Sequence, residues 1–234
     1  MVLDVTDDGS VAAAAERVAA DGGLDVLVNN AGIVGDRGAV PDTTAEDVGR
    51  IFATNVLGIV RVTQAFVPLL ERSADPVIVN VSSGMGSLGV TTDPSRLESS
   101  LVGLGYPASK AAVNMLTSMY AKALAHMRVN CVDPGYTATD LNEHRGAQTV
   151  EEGAEIIVRM ARLDASGPTG TFVDRHGSCR GDTGTHQVST KPRPPAGAGG
   201  AAASVAAIRP RVSAGSITSS SSNRVAALTA AACS

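Results

Sequence analysis

The sequence predicts an α/β fold built on a doubly wound parallel sheet. Four apolar runs of strand length alternate with helical patterns of ten or more residues, the arrangement that makes βαβ units with helices on both sheet faces. The motifs that could carry chemistry follow the strands, and ligands of such sheets sit beyond the strands' C-terminal ends. With 234 residues, 44% of them hydrophobic and 18% charged, the chain has the length and composition of one domain with a real core.

The elements run in order. Val2-Leu3-Asp4-Val5 gives a short strand signal. Ser10 to Ala20 is an Ala-rich helix with Ser10 at its N-cap and Gly22-Gly23 past its end. Leu24 to Val28 reads as a buried strand, and Thr44 to Leu70 as a long helix ended or kinked near Pro68. Val77 to Val81 is a second apolar strand. Pro107 to His126 is a helix with Pro in its first turn, where its missing N–H costs little. Met127 to Val132 is a strand halted by Pro134-Gly135, Val150 to Arg162 a helix, and Thr169 to Val173 a last strand. No uninterrupted apolar stretch approaches the roughly 18 residues of a membrane span. The opening MVLDVTDDGS is acidic and has no basic leader, so no membrane or export step is expected. Cys131, Cys179 and Cys233 lack metal or disulfide spacing, which fits a reducing cytoplasm.

Composition changes near Gly177. From Ser178 onward there are six Lys/Arg and one acid, leaving 13 basic and 22 acidic residues before it. The tail "KPRPPAGAGGAAASVAAIRP" has no aromatic residue and no sustained period, and residues 178–234 are expected to be a disordered low-complexity tail. Its sparse basic residues, without aromatics for base stacking, do not favour nucleic acid.

Gly84-Met85-Gly86-Ser87-Leu88-Gly89 spells Gly-x-Gly-x-x-Gly after a strand. A dinucleotide fingerprint opens a helix directly and has an acid about 20 residues later. Here Val90-Thr91-Thr92-Asp93-Pro94 follows, a poor helix start, and the region around Ser109 has no acid. A strand-to-loop segment is the better reading. Tyr106 and Lys110, four apart, share a helix face. Ser83 ends the preceding strand; Asn29-Asn30-Ala31-Gly32 follows an earlier one, and Asn55 lies in the long helix.

Asn-Asn-Ala-Gly, Ser83, Tyr-x-x-x-Lys and Pro-Gly in this order resemble the short-chain dehydrogenase/reductase family, with the likeness running from Val2 to about Gly177. The resemblance implies a Rossmann-like sheet and hydride transfer between NADPH or NADH and a carbonyl or alcohol, NADPH being favoured. It implies that Tyr106 is the acid/base and that Lys110 lowers the phenol's pKa and binds the nicotinamide ribose. Ser83 would donate to the substrate oxygen, and Asn55 would hold a water linking Lys110 to solvent; Asn55 also reads as a helix-bending polar residue. On the cofactor side it points to Asp4, Val5, Asn29, Ala31, Gly32, Pro134, Gly135, Thr137 and Thr139, and to no metal. Asp4 reads equally as a turn-forming acid before Asp7-Asp8-Gly9, and Thr137 stands where the family usually has Ile or Val. Twenty-two residues separate Ser83 from Tyr106, more than is usual. The surplus, "TTDPSRLESSLVG", is expected to be a flap for an apolar carbonyl substrate. Pairing through the two long helices is the expected route to a homo-oligomer.

Val2 to Asp4 matches the family's third strand. Two βα units of roughly 30 residues each, with the glycine-rich phosphate loop and the residue that selects NAD or NADP, have no counterpart in the sequence. The expected fold is therefore the family sheet lacking its first two βα units. Two consequences are expected: Leu24 to Val28 as an exposed, aggregation-prone edge, and weak dinucleotide binding. The alternative to an enzyme is a non-catalytic fragment. The break near Gly177 also fits a frameshift, which the coding DNA would reveal.

Overall fold

The computed structural model describes residues 3–35, 38–178 and 225–228. Helix α1 (Asp8–Ala20) leads to β1 (Val26–Asn29), α2 (Ala45–Phe52), α3 (Gly58–Leu70) and β2 (Val77–Val81). A one-turn helix α4 (Leu88–Thr91) precedes α5 (Gly105–Ala123), β3 (Arg128–Val132), α6 (Val150–Ala161), β4 (Phe172–Asp174), β5 (Gly177–Ser178) and β6 (Val225–Leu228). The sheet order is β5-β4-β3-β2-β1-β6, parallel throughout except for the β4–β5 hairpin.

The strands alternate between two cores because successive side chains point to opposite faces. Leu27, Ile78 and Val129 face one cluster with Val11, Val18, Val62, Phe66 and Leu70 from α1 and α3. Val26, Val28, Val77 and Val79 face the other, closed by Ile156 and Met160 of α6. Phe66 is fully enclosed. Removing such a side chain from water is worth roughly 1.5–3 kcal/mol.

Several boundaries differ from the sequence expectation. Leu3 to Val5 is not a strand; it turns into α1, with Leu3 and Val5 buried in the first core. The N-cap of α1 is Asp7, whose Oδ1 accepts from the Ser10 N–H at 2.6 Å, so Ser10 lies inside the helix. The long helix Ala45–Leu70 carries a π-turn at Ala53–Leu57 and ends at Leu70, close to Pro68 as expected. This helix is long and apolar enough to span a membrane, but 56% of its most apolar window is buried within the fold. Thr169 stays outside the last strand because its hydroxyl accepts from the Val129 N–H at 3.0 Å.

The expected exposed edge on β1 is not found. β6 pairs with it in parallel, Val26 opposite Val225 through Asn29 opposite Leu228. Four strand residues with free N–H and C=O groups template any extended segment that reaches them, and "VAAL" lacks the Pro and Gly that would prevent it. Of the expected tail, residues 225–228 form this strand. The rest of the expected tail after Ser178, with the proposed frameshift product, lies outside the described residues.

Candidate active site

The centre of the site is set by α5. Tyr106, Lys110, Val113, Asn114 and Thr117 follow the helical period along one face, and Lys110, Val113 and Thr117 are buried. Lys110 is 5% exposed, its Nζ donating to the Val81 carbonyl at 2.8 Å and lying 5.5 Å from the centre of the Tyr106 ring. The Ser83 side chain stands against the Tyr106 hydroxyl and favours its ionised form. Ser83 stands two residues past β2, where its Oγ accepts from the Met85 N–H at 3.3 Å and caps the turn Gly84–Gly86. The structure thus brings together three residues that lie 27 positions apart in sequence at their extremes.

The glycines after Ser83 face protein. A Cβ on Gly86 would lie 2.5 Å from the Lys110 carbonyl carbon and 2.8 Å from the Ala111 nitrogen. A Cβ on Gly84 would meet Glu98 and Asp133 at 2.6 and 3.0 Å. The sequence expectation of no helix after these glycines needs correction: one turn, Leu88–Thr91, forms because Ser87 caps it. Its shortness and the packing of both glycines leave the loop a serine platform.

Asn55 sits in the π-turn, a feature common at functional sites. Its Oδ1 accepts from the Ile33 N–H at 2.8 Å; its Nδ2 donates to the Ile33 carbonyl at 2.9 Å and to Ser109 Oγ at 3.0 Å. Asn55 therefore ties the loop after β1 to α5. Ser109, absent from the sequence-based candidates, completes the tie by donating to the Tyr106 carbonyl at 2.7 Å. A Cβ on Gly32 would stand 3.4 Å from Asn55 Oδ1 and 3.6 Å from Lys110 Nζ, which places this loop against both side chains. Asn29 is used internally: its Nδ2 donates to Asn80 Oδ1 at 2.8 Å, and Asn80 Nδ2 in turn donates to Thr117 Oγ1 at 2.9 Å.

Val5, Asn29 and Ala31, with Gly58 and Val62, line a shallow crevice of about 10 Å³. Asp4 takes the turn role: it is exposed, and its Oδ1 accepts from the Thr6 N–H at 2.8 Å and hydroxyl at 2.6 Å. After β3, Gly135 adopts a positive φ of 79°, and Gln148 fastens the loop by donating to the Pro134 carbonyl and to Thr137 Oγ1. Thr137 also donates to the Gly135 carbonyl at 3.2 Å, a bond its usual Ile or Val replacement would lose. Thr139 begins the short turn Asp140–Asn142. Gln148 lies 13 positions past Gly135 in an irregular segment, and no pattern in the sequence marks it.

The electrostatics correct one expectation. The Tyr106 phenol is not lowered; burial pushes it up to about 12, Asp133 adds to the rise, and Ser83 opposes it. Lys110 lies over the ring and is bound to Val81, so it does not offset the loss of water at the hydroxyl. Burial also lowers Lys110 to about 8, with Asp133 and Cys131 acting in the opposite sense. The site therefore presents a protonated phenol beside an ammonium that titrates near neutrality. The residues fit the nicotinamide-ribose end of a dinucleotide, because a buried ammonium, Lys110, stands beside the Tyr106 phenol as a donor pair.

A family model described as short chain dehydrogenase matches residues 1–150. The short-chain dehydrogenase anuI of Penicillium roqueforti is 38% identical over 169 residues, covering 69% of this chain and 66% of that one. (−)-Isopiperitenone reductase of Mentha piperita is 33% identical, covering 74% of this chain and 77% of that one. The NADPH-bound carbonyl reductase from chicken fatty liver superposes with a TM-score of 0.65 at 29% identity, over 75% of this chain and 74% of that one. The chain thus spans about two thirds to three quarters of the length of these relatives. With the ordered motifs, the parallel sheet and the Ser83–Tyr106–Lys110 cluster, this match means that the chain belongs to the short-chain dehydrogenase family.

Proposed function

We propose that the chain transfers hydride between a nicotinamide dinucleotide, NADPH in preference to NADH, and a small carbonyl or alcohol substrate. One observation carries the reading: Ser83 stands against the Tyr106 hydroxyl, where it favours the ionised phenol, and the Lys110 ammonium lies 5.5 Å from the centre of the Tyr106 ring. The nicotinamide supplies the hydride when bound. In the reducing direction Tyr106 gives its proton to the carbonyl oxygen, and Ser83 donates a hydrogen bond to that oxygen as charge grows on it. Lys110, its ammonium held by the Val81 carbonyl beside the Tyr106 ring, supplies a donor for the nicotinamide ribose. Asn55 fixes the loop above Lys110 and is suited to ordering a water there. Pro134, Gly135, Thr137 and Thr139 shape the nicotinamide side.

Exposed Leu97, Leu101 and Val102 on the segment between Ser83 and Tyr106 support an apolar substrate. Exposed Leu57, Met115 and Met119 on the long helices support self-pairing. The buried Cys131 thiol accords with a cytoplasmic setting. NADPH consumption with a panel of aldehydes and ketones tests the reading; no turnover with any of them overturns it.

The pH profile follows from Lys110. Its ammonium is present below about 8 and lost above it, while the phenol stays protonated to about 12. In the reducing direction, kcat/KM should fall as pH rises through about 8, a limb that initial rates across pH 6 to 10 (roughly the span around that value) will show. A second reading, a chain that keeps the catalytic cluster yet binds dinucleotide weakly, is favoured by β6. It occupies the outer edge of β1, where the resemblance puts the strand bearing the phosphate loop. Fluorescence titration with NADPH separates the two, since micromolar affinity excludes the second.

A further inference from the structure

Asp133 is a buried carboxylate for which the chemistry above has no role. It stands one residue past β3, where Val132 pairs with Val81, the residue whose carbonyl holds Lys110 Nζ at 2.8 Å. Its N–H donates to the Val173 carbonyl at 2.8 Å. Its Oδ1 accepts from the Gly135 N–H at 2.9 Å, and its Oδ2 packs against Gly84, 3.0 Å from where a Cβ there would lie. One side chain, 5% exposed, therefore joins the serine loop to the Pro134–Gly135 loop.

We infer that Asp133 is a positioning residue for the Tyr106–Lys110 pair, holding the two loops in register and facing Lys110 with negative charge, an inference that rests on the reductase reading. The charged groups around it are consistent with this. Lys110 and Tyr106 face it from α5, Glu98 and Arg96 from the segment between Ser83 and Tyr106, and Asp174 from β4. Burial, Glu98 and Asp174 raise the Asp133 pKa, and the Gly135 N–H opposes them. Arg96 lies 3.5 Å from Glu98 Oε1 and 3.9 Å from Asp174 Oδ2, so its charge offsets the crowding of three carboxylates. Gly84 lets Glu98 approach Asp133, since a side chain there would collide with both. The attraction is felt most by Lys110, whose protonated form Asp133 favours.

The test is an NMR titration of the full chain carrying ¹³Cε-lysine. The lysines are Lys110, Lys122 and Lys191, so the Lys110 signal is assigned by its loss in Lys110→Arg. Its midpoint should lie near 8 in the unmodified chain. It should fall by roughly 1 to 3 pH units in Asp133→Asn and return in Asp133→Glu. If Asp133→Asn does not fold, Asp133→Ser, whose hydroxyl can accept from Gly135, is read in its place. A midpoint unchanged in a folded variant overturns the inference, because a purely structural role would lower Tm and leave the titration alone. Absence of NADPH turnover would instead overturn the reductase reading and leave this titration readable.

Discussion

Tyr106→Phe should lower kcat for carbonyl reduction by roughly 10² to 10⁴-fold, the usual contribution of a positioned general acid. The substitution deletes one oxygen and its proton and keeps the ring. The ring's packing over Lys110 survives, so Tm should change little. What disappears is the hydroxyl beside Ser83, at the point where the substrate oxygen must gain its proton. Ser83 keeps its bond from Met85 and stays in place. NADPH-dependent reduction, measured at saturating substrate with NADPH affinity determined separately, checks the result. If the variant keeps most of its kcat, Tyr106 is not the proton donor.

Gly86→Ala should cost roughly 3 kcal/mol, the upper end of ordinary overpacking, and lower Tm by about 6–12 °C for a chain of this size. The atoms a Cβ would strike are the Lys110 carbonyl carbon, its oxygen and the Ala111 nitrogen, all within 2.8 Å. These are backbone atoms in the middle of α5, with no rotamer to yield. Asn114 makes the contact tighter, as its Nδ2 donates to the Gly86 carbonyl at 3.2 Å while its Oδ1 accepts from Ser82. Relief therefore requires α5 to move away from the serine loop and carry Tyr106 and Lys110 with it. A displacement approaching 1 Å can cost about 100-fold in rate, so activity should fall with stability. Gly49→Ala is the control. Nothing lies within 4 Å of that Cβ, and in α2 the change should stabilise by roughly 0.5–1 kcal/mol. Thermal melts of both variants compare the two positions directly.

The strands β1, β2 and β3 were legible because buried parallel strands are written as short apolar runs. Ser83, Tyr106 and Lys110 were legible because their spacing and order survive in one dimension. Asn55 was legible as a polar residue in an apolar helix, but its contacts with Ile33 and Ser109 were not, since they cross 22 and 54 positions. Asp133 and Gln148 were missed for the same reason. An acid before Pro-Gly and a Gln in a loop are common, and only their neighbours in space give them work.

The sequence by itself determined the fold class, the face of α5 and the residues that meet at the end of β2, because each follows from local periodicity and order. Tertiary structure alone decided three things. It set Gly86 against the backbone of α5. It raised the Tyr106 phenol to about 12 and lowered Lys110 to about 8. It covered the edge of β1 with β6. Close approach, desolvation and strand pairing all depend on which distant atoms come near, and no stretch of sequence specifies that alone.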